Sequence, residues 1–185
     1  MPDTIGSMNH FRDLFDSLSS DNHQRGKQFE EVCKWFFEND PRYANQLNRV
    51  WLWEDWPGRW GADCGIDLIA EGKNGKVWAI QAKCYKPEYS VTKHDIDKFL
   101  SESVNEKIDY RLLIATTDLL GDNARKVMHR QNKVMPVFTV LLADLEQATI
   151  EWPTCFEALD SGHVVEKFPP RPHQRQAIED TVSGL

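Results

Sequence analysis

The chain has 185 residues, 41% of them hydrophobic and 28% charged, a composition typical of one folded domain with a sizeable core. No apolar run approaches the roughly 20 residues of a membrane span, and the net charge of −7 excludes a protein that coats nucleic acid by overall positive charge. Four scattered cysteines without a CxxC pair indicate a reduced protein, which we expect in the cytoplasm and without a membrane partner.

The first predicted element is a helix over residues 22–38. Its apolar residues recur at i, i+3, i+4, i+7 and i+8 and form one stripe, namely Phe29, Val32, Cys33, Phe36 and Phe37. Glu30 lies one position off this stripe, where a helix leaves the core and can meet a cleft. Alternatively, Glu30 is solvated and forms an i,i+4 ion pair with Lys34.

Three strands are predicted next. The first covers residues 48–53 and is followed by a loop at 54–61, marked by its proline and glycines. The second and third cover residues 66–71 and 76–84. The intervening Gly72-Lys73-Asn74-Gly75 predicts a hairpin turn, because asparagine and glycine readily adopt positive φ.

The rest of the domain alternates between helix and strand. We predict a helix over 92–104, a strand over 110–115, a polar helix over 122–131 and a strand over 136–142. Such an alternation indicates an α/β domain with a central mixed sheet flanked by helices.

The ends of the chain differ from this pattern. We expect residues 1–10 to be an N-terminal extension or a cloning remnant, and residues 11–165 to be the folded domain. A proline-rich stretch then opens residues 166–185, which we interpret as a linker and the beginning of a truncated further domain.

An aspartate and a lysine, Asp67 and Lys83, lie on the two strands of the predicted hairpin. Side chains alternate along a strand, so Gln81 and Lys83 share a face, and pairing across the hairpin brings them close to Asp67. A carboxylate and an ammonium within a sheet are either a tolerated ion pair or an active site. Carboxylate and amide oxygens suit Mg²⁺, and a lysine beside them suits phosphodiester hydrolysis.

Three ordered motifs carry a resemblance to a known family. They are the helix segment Gly26-Lys27-Gln28-Phe29-Glu30, the strand segment GADCGIDL at 61–68, and QAKCY at 81–85. Together they resemble the PD-(D/E)xK nuclease superfamily, in particular its Mrr-like restriction endonuclease branch. The resemblance covers about residues 24–129 and implies a restriction-endonuclease-like core.

The resemblance implies roles for individual residues. Asp67, Gln81 and the backbone carbonyl of Ala82 would be metal ligands, Lys83 the catalytic lysine, and Glu30 an auxiliary acid. Mg²⁺ is the implied cofactor, with Mn²⁺ as a substitute, and double-stranded DNA the implied substrate. Glutamine in place of the usual glutamate at position 81 removes one negative charge, so weaker metal binding is expected.

The tail resembles the stretch before the first motor domain of superfamily 2 helicases. In that resemblance Gln174 would contact the adenine of ATP, which only the motor domain would use. A nuclease followed by such a motor is the layout of type I-like, single-chain type ISP restriction-modification enzymes of bacteria. The expected partners are therefore motor, methyltransferase and target-recognition domains of the same chain, and double-strand breaks would need transient pairing of two nuclease domains.

Several residues are candidates for contacting DNA. Lys86 follows the active strand, and Arg125, Lys126 and Arg130 belong to the densest basic cluster; each can meet phosphates or simply lie on a solvated face. Three tryptophans around the loop before the site, Trp53, Trp56 and Trp60, are candidates for base contact, whereas Trp35, Trp51 and Trp78 are expected in the core. Asp63 either joins the metal site or shapes its loop.

Two other functions remain open on the sequence. One is a non-catalytic module that grips DNA or couples to the motor through a relic nuclease fold. The other is a structure-specific repair nuclease that uses the same residues. Metal binding through Asp67 separates the first from a working enzyme, and substrate preference separates the second.

Overall fold

A computed structural model of the chain describes residues 10–62 and 64–160. They form a five-stranded mixed sheet flanked by helices, which confirms the predicted fold class. The strands are β1 Leu47–Leu52, β2 Leu68–Gly72, β3 Val77–Lys83, β4 Tyr110–Ala115 and β5 Val137–Val140. The helices are α1 Phe11–Ser17, α2 Asn22–Asn39, α3 Pro41–Ala44, α4 Lys93–Glu102, α5 Asp122–Gln131 and α6 Leu142–Glu146.

The strands lie in chain order, β1-β2-β3-β4-β5. The pairs β1/β2 and β2/β3 are antiparallel, and Gly75, with φ of 77°, closes the predicted β2–β3 hairpin. The pairs β3/β4 and β4/β5 are parallel, because α4 and α5 carry the chain back between them. The carboxyl ends of β3 and β4 therefore meet at one edge of the sheet.

Each face of the sheet has its own hydrophobic core. One core joins the sheet to α1, α2 and α6 and includes Phe29, Phe36, Leu68, Ile80 and Trp152. The other joins it to α4 and α5 and includes Ile69, Ala79, Phe99, Leu113 and Met128. The alternating side chains of β2 and β3 supply both cores, which fixes the register of the hairpin.

The first long helix, α2, forms as its apolar stripe predicts. The Asp21 side chain caps it by accepting a hydrogen bond from the Gln24 amide at 2.9 Å, and all five predicted stripe residues are buried. The helix packs on β1 and β3, with its amino-terminal half beside the carboxyl end of β3. It therefore borders the edge where the candidate site lies.

The last predicted strand is wrong in its second half. The apolar run at 136–142 is a strand only for Val137–Val140, and Leu142 begins α6. Asp144 stabilises this turn by accepting a hydrogen bond from the Leu141 amide at 2.8 Å. Periodicity could not separate the two states, because Leu142 remains buried in the helix. The short helices α1 and α3 were not predicted either.

No helix among residues 10–62 and 64–160 has the length and apolar character needed to cross a membrane. The predicted tail at 166–185, including Gln174, lies outside the described residues, as do Asp63 and residues 1–9.

Candidate active site

The hairpin brings Asp67 opposite Gln81. Leu68 pairs with Ile80, and the Asp67 amide donates to the Ile80 carbonyl at 2.9 Å, so the next position on β3 is Gln81. β2 begins at Leu68, whereas β3 continues to Lys83. β3 thus extends beyond its antiparallel partner β2. The extending residues, Gln81 to Lys83, are those predicted from the sequence to form the site.

Where β3 extends beyond β2, hydrogen bonds to Asp67 take the place of regular strand pairing. Its Oδ2 accepts a hydrogen bond from the Ala82 amide at 2.7 Å, and its own carbonyl accepts one from the Trp53 amide at 2.8 Å. The N–H and C=O of one strand residue point to the same side, so the Ala82 carbonyl also faces the Asp67 side of β3. The proposed carboxylate and carbonyl ligands are therefore neighbours.

Gly65 turns the chain away from β3 just before Asp67. Its φ of 62° favours glycine, and a Cβ there would come within 3.0 Å of the Phe99 amide nitrogen. The turn ends the regular pairing at Leu68 and frees the Asp67 carboxylate to reach Ala82. Gly65 and the start of β2 at Leu68 thus together position the Asp67 side chain.

Gln81 presents a buried acceptor without a partner. The residue is 3% exposed, and its Oε1 has no hydrogen-bond partner among residues 10–62 and 64–160. Leaving a buried amide oxygen unpaired costs free energy, so such an atom calls for a ligand. An oxygen-binding cation such as Mg²⁺ fits this donor set of carboxylate, amide oxygen and peptide carbonyl.

The donor set is poor in negative charge. Within the part of the chain that the structure describes, no three His, Cys, Asp or Glu side chains cluster as a metal site. A metal at Asp67 would therefore depend on the neutral oxygens of Gln81 and Ala82.

Lys83 ends β3 on the same face as Gln81, by strand alternation. Two residues on, Tyr85 is anchored from both sides. Its amide donates to Thr116 Oγ1 at 2.7 Å, and its hydroxyl donates to Asp95 Oδ1 at 2.7 Å. These contacts fix the chain that leaves Lys83.

Asp95 carries its negative charge next to this lysine. Burial opposes ionisation, but hydrogen bonds from Thr92 and Tyr85, together with the positive charge of Lys83, hold the pKa of Asp95 below its usual value. Burial and the hydrogen bond to Asp95 raise the pKa of Tyr85. The α4 terminus thus places a fixed carboxylate near the lysine.

Glu30 lies on α2 and feels the charge of Asp67. Burial raises the pKa of Glu30 to about 7; the hydrogen bond from Lys27 opposes this rise, and the negative charge of Asp67 adds to it. The Lys27 Nζ lies 2.9 Å from Glu30 Oε2, and the Glu30 side chain is only 15% exposed. The alternative pairing with Lys34 is wrong, because Lys34 pairs with Glu38.

The raised pKa of Glu30 predicts a pH-dependent gain of stability in the metal-free Glu30→Gln variant. The folded state binds this proton more tightly than the unfolded state, so the ionised carboxylate destabilises the fold, fully above pH 7 and not at all below pH 4.5. We expect the variant to gain about 1–3 kcal/mol at pH 8. Urea unfolding at pH 4 and pH 8 measures this difference.

The matched control is Glu38→Gln, on the same helix and exposed. A gain in Glu30→Gln that is equal at both pH values, or that Glu38→Gln reproduces, would contradict the assignment. Loss of cleavage accompanying the gain in stability would identify Glu30 as a residue kept for function.

The candidate DNA contacts are all exposed but do not form one patch. Lys86 precedes Pro87, whose carbonyl accepts from Thr117 beyond the end of β4, and Arg125 lies near the start of α5. Arg130 is in the last turn of α5, roughly 7 Å further along its axis. The first two therefore border the site edge, and Arg130 lies towards the far end.

The predicted tryptophan roles are partly reversed. Trp53 and Trp56 are buried, and their indole N–H groups donate to the Gly61 carbonyl and Glu71 Oε1, both at 3.0 Å. Their rings are closed to DNA bases, and Trp53 supports Asp67 through its backbone. Trp60 is half-buried against them. Trp35, Trp51 and Trp78, expected in the core, are partly buried and pack against the two cores.

Sequence reasoning missed Arg25 and the Tyr85–Asp95 contact. Strand alternation places Tyr85 on the face of Lys83, which was a usable signal. Arg25 continues the stripe of Phe29 and Val32 at helical spacing, so it could have been placed on the inner face of α2.

Comparison with known proteins points to a single family. A family model described as a restriction endonuclease, of the Mrr catalytic type, matches residues 38–161. Glu30 and Arg25 precede the matched residues. A search of curated protein sequences finds no match.

A solved structure shares the fold. An ATP-dependent type ISP restriction-modification enzyme, LlaBIII, bound to DNA, is 28% identical with a TM-score of 0.63 over 92% of this chain. That alignment spans 11% of the LlaBIII chain, so this chain corresponds to about a tenth of that enzyme.

Two further structures are less similar. The MspJI restriction endonuclease in complex with a 27-mer oligonucleotide is 18% identical with a TM-score of 0.45, covering 67% of this chain and 27% of that one. The DNA modification-dependent restriction endonuclease AspBHI is 15% identical with a TM-score of 0.40, covering 91% of this chain and 42% of that one.

Proposed function

The chain belongs to the Mrr-type restriction endonuclease family and is a nuclease domain, and from that premise we propose that it hydrolyses phosphodiester bonds of double-stranded DNA with Mg²⁺ held by Asp67, Gln81 and the Ala82 carbonyl. Mn²⁺ would substitute. The observation that carries this proposal is the buried Gln81 Oε1, which has no hydrogen-bond partner in the described part of the chain and belongs to the strand position opposite Asp67.

In this proposal the protein side chains hold and orient the reactants. Bound Mg²⁺ supplies charge neutralisation at the phosphoryl oxygens and lowers the pKa of a bound water. Asp67 and Gln81 fix the position of the cation relative to the end of β3. Lys83, beside them on the same strand, orients the attacking water and stabilises the negative charge of the transition state.

Glu30 would act from the side of the cleft formed by α2. With a pKa of about 7 and a hydrogen bond from Lys27, it can hold or release a proton near neutral pH. An auxiliary acid of this kind assists proton movement without being a primary ligand. Its replacement is therefore expected to be milder than that of Asp67.

We further propose that the domain works within a larger ATP-driven restriction-modification enzyme of the bacterial cytoplasm. The similarity to LlaBIII supports this, because it covers nearly the whole of this chain and a small part of that one. Motor, methyltransferase and target-recognition domains would then be its partners in the same chain. One site per chain cuts one strand, so double-strand breaks would need transient pairing of two nuclease domains.

The experiment that tests the proposed function is nicking of supercoiled plasmid by this chain in Mg²⁺, in Mn²⁺ and in EDTA. We expect open-circular product in both metals and none in EDTA, because the donor set is chemically suited to hard cations. Equal cleavage in EDTA would contradict the metal site. An absence of cleavage, together with no change in melting temperature on adding metal, would favour the relic, non-catalytic module.

A further inference from the structure

Arg25, the fourth residue of α2, has a positive charge that no described carboxylate neutralises. Among residues 10–62 and 64–160, no Asp or Glu oxygen forms an ion pair with it. Its guanidinium carbon lies 4.3 Å from the centre of the Phe15 ring, and its buried Nε has no hydrogen-bond partner among the described residues. A guanidinium held in this way is already oriented, and part of its hydrogen-bonding capacity is unused.

Arg25 is held next to the end of the active strand. The positive charge of Arg25 acts on the Cys84 side chain, so the guanidinium lies close to that thiol. Cys84 directly follows Lys83, the proposed catalytic lysine. The cation therefore lies at the carboxyl edge of β3, on the side that α2 covers.

The surface of α2 is open beside this arginine. A Cβ built on Gly26 would meet no heavy atom of residues 10–62 and 64–160 within 4 Å, so no described neighbour requires glycine at this position. Glycine within a helix nevertheless lowers stability relative to alanine. Residues i and i+4 share a helix face, so the open surface at Gly26 adjoins Glu30. A ligand can approach the helix backbone closely here.

The region of the proposed site carries several negative charges, which a cation such as Arg25 would offset. Besides burial, the negative charges of Asp67 and Glu54 raise the pKa of Glu30, so three carboxylates act on the same region. A DNA phosphate entering it would be repelled. Lys27 is already paired with Glu30, whereas Arg25 is committed to no carboxylate of the described residues.

We propose that Arg25, with the open helix surface at Gly26, binds a backbone phosphate of the DNA strand next to the scissile bond and so positions that strand. This inference rests on the nuclease function proposed above. A guanidinium suits the role because its planar fork matches two phosphate oxygens and its face stacks on an aromatic ring. The contact is independent of sequence, as phosphate contacts are.

The test compares Arg25→Met with Arg12→Met, a control that removes an exposed arginine paired with Glu146. Binding of a fluorescent 30-base-pair duplex is measured over a salt series, with Asp67→Asn added to each chain so that the DNA is not cut. We expect Arg25→Met to weaken binding roughly tenfold and to reduce the salt slope by about 0.9, with no change in the control.

A second variant keeps the test sharp if Arg25→Met unfolds. Gly26→Leu leaves the arginine in place, improves helix propensity and fills the open surface. We expect an unchanged or higher melting temperature together with weaker binding and a higher KM for nicking. A structural role of this region predicts the opposite, namely a lower melting temperature and unchanged binding by the folded fraction.

Two outcomes would overturn the inference, and they are distinguishable. If Arg25→Met and Gly26→Leu both bind the duplex with the affinity and salt slope of the parent, the phosphate contact is contradicted. Nicking by the parent chain would still support the nuclease function in that case. Failure of the parent chain to nick plasmid or to bind the duplex would remove the nuclease function, and the phosphate contact with it.

Discussion

Replacing Asp67 with asparagine is expected to lower the rate of plasmid nicking by roughly 10³-fold or more while leaving the fold intact. Asparagine keeps an oxygen that can accept the hydrogen bond from the Ala82 amide, which Asp67 Oδ2 now accepts at 2.7 Å. It removes the single carboxylate among the three proposed ligands. Metal affinity should therefore fall with the rate, which calorimetric titration with Mn²⁺ measures directly.

Asp109 provides a matched control for Asp67. Its Oδ2 accepts a hydrogen bond from the Val77 amide at 2.9 Å, the same kind of contact at the opposite end of β3. Asp109→Asn should keep both metal binding and nicking. Nicking by Asp67→Asn at the parental rate would remove Asp67 from the site, and equal losses in both variants would point to a general defect of the sheet.

Asp67→Ala separates the structural part of the side chain from the chemical part. Alanine leaves the Ala82 amide without its acceptor, which we expect to cost about 1–3 kcal/mol of stability. Asp67→Asn and Asp67→Ala should both be inactive, but only Asp67→Ala should clearly lower the melting temperature. A similar melting temperature for both would mean that the Asp67–Ala82 contact contributes little to the fold.

Replacing Lys83 with methionine is expected to reduce nicking roughly 10²- to 10⁴-fold without loss of metal binding. Methionine preserves most of the aliphatic stem and removes the ammonium that would orient water and stabilise charge. Lys83 is half-buried at the carboxyl end of β3, so the change does not leave a deeply buried charge without its partner. The decisive measurement is kcat at saturating DNA and metal, with Mn²⁺ affinity measured in parallel.

The control for Lys83 lies on the same hairpin. Lys76 pairs with Asp109 at 2.7 Å and is separated from Lys83 by about 23 Å along the strand. Lys76→Met should nick like the parent chain. If Lys83→Met kept its kcat and lost only DNA affinity, the lysine would be a phosphate contact and not the catalytic residue.

The sequence by itself determined the parts of this protein that depend on local pattern. A helix followed by a hairpin is specified by three local patterns: the apolar stripe of α2, the alternating strands, and the Gly72–Gly75 turn between those strands. Each element has a single hydrophobic period, and the turn residues mark clearly where one strand ends and the next begins. Period-2 alternation alone puts Gln81 and Lys83 on one face, and antiparallel pairing then brings Asp67 beside them. These expectations for the fold are confirmed, and the catalytic roles stay predictions.

Other features depended on contacts between segments far apart in the chain. The apolar run at 136–142 divides into β5 and α6 because Leu142 finds room in the core as a helical residue. Trp53 and Trp56 read as exposed loop aromatics, yet each is buried by partners that no local pattern shows.

Only the tertiary structure decided what surrounds the candidate site. Packing of helices on both faces of the sheet buries Gln81 Oε1, which has no partner among the described residues, and burial raises the pKa of Glu30 to about 7. The position of Arg25 between Phe15 and Cys84 joins three segments of the chain. Sequence pattern specifies which side chains share a face, whereas burial and charge depend on which elements cover that face.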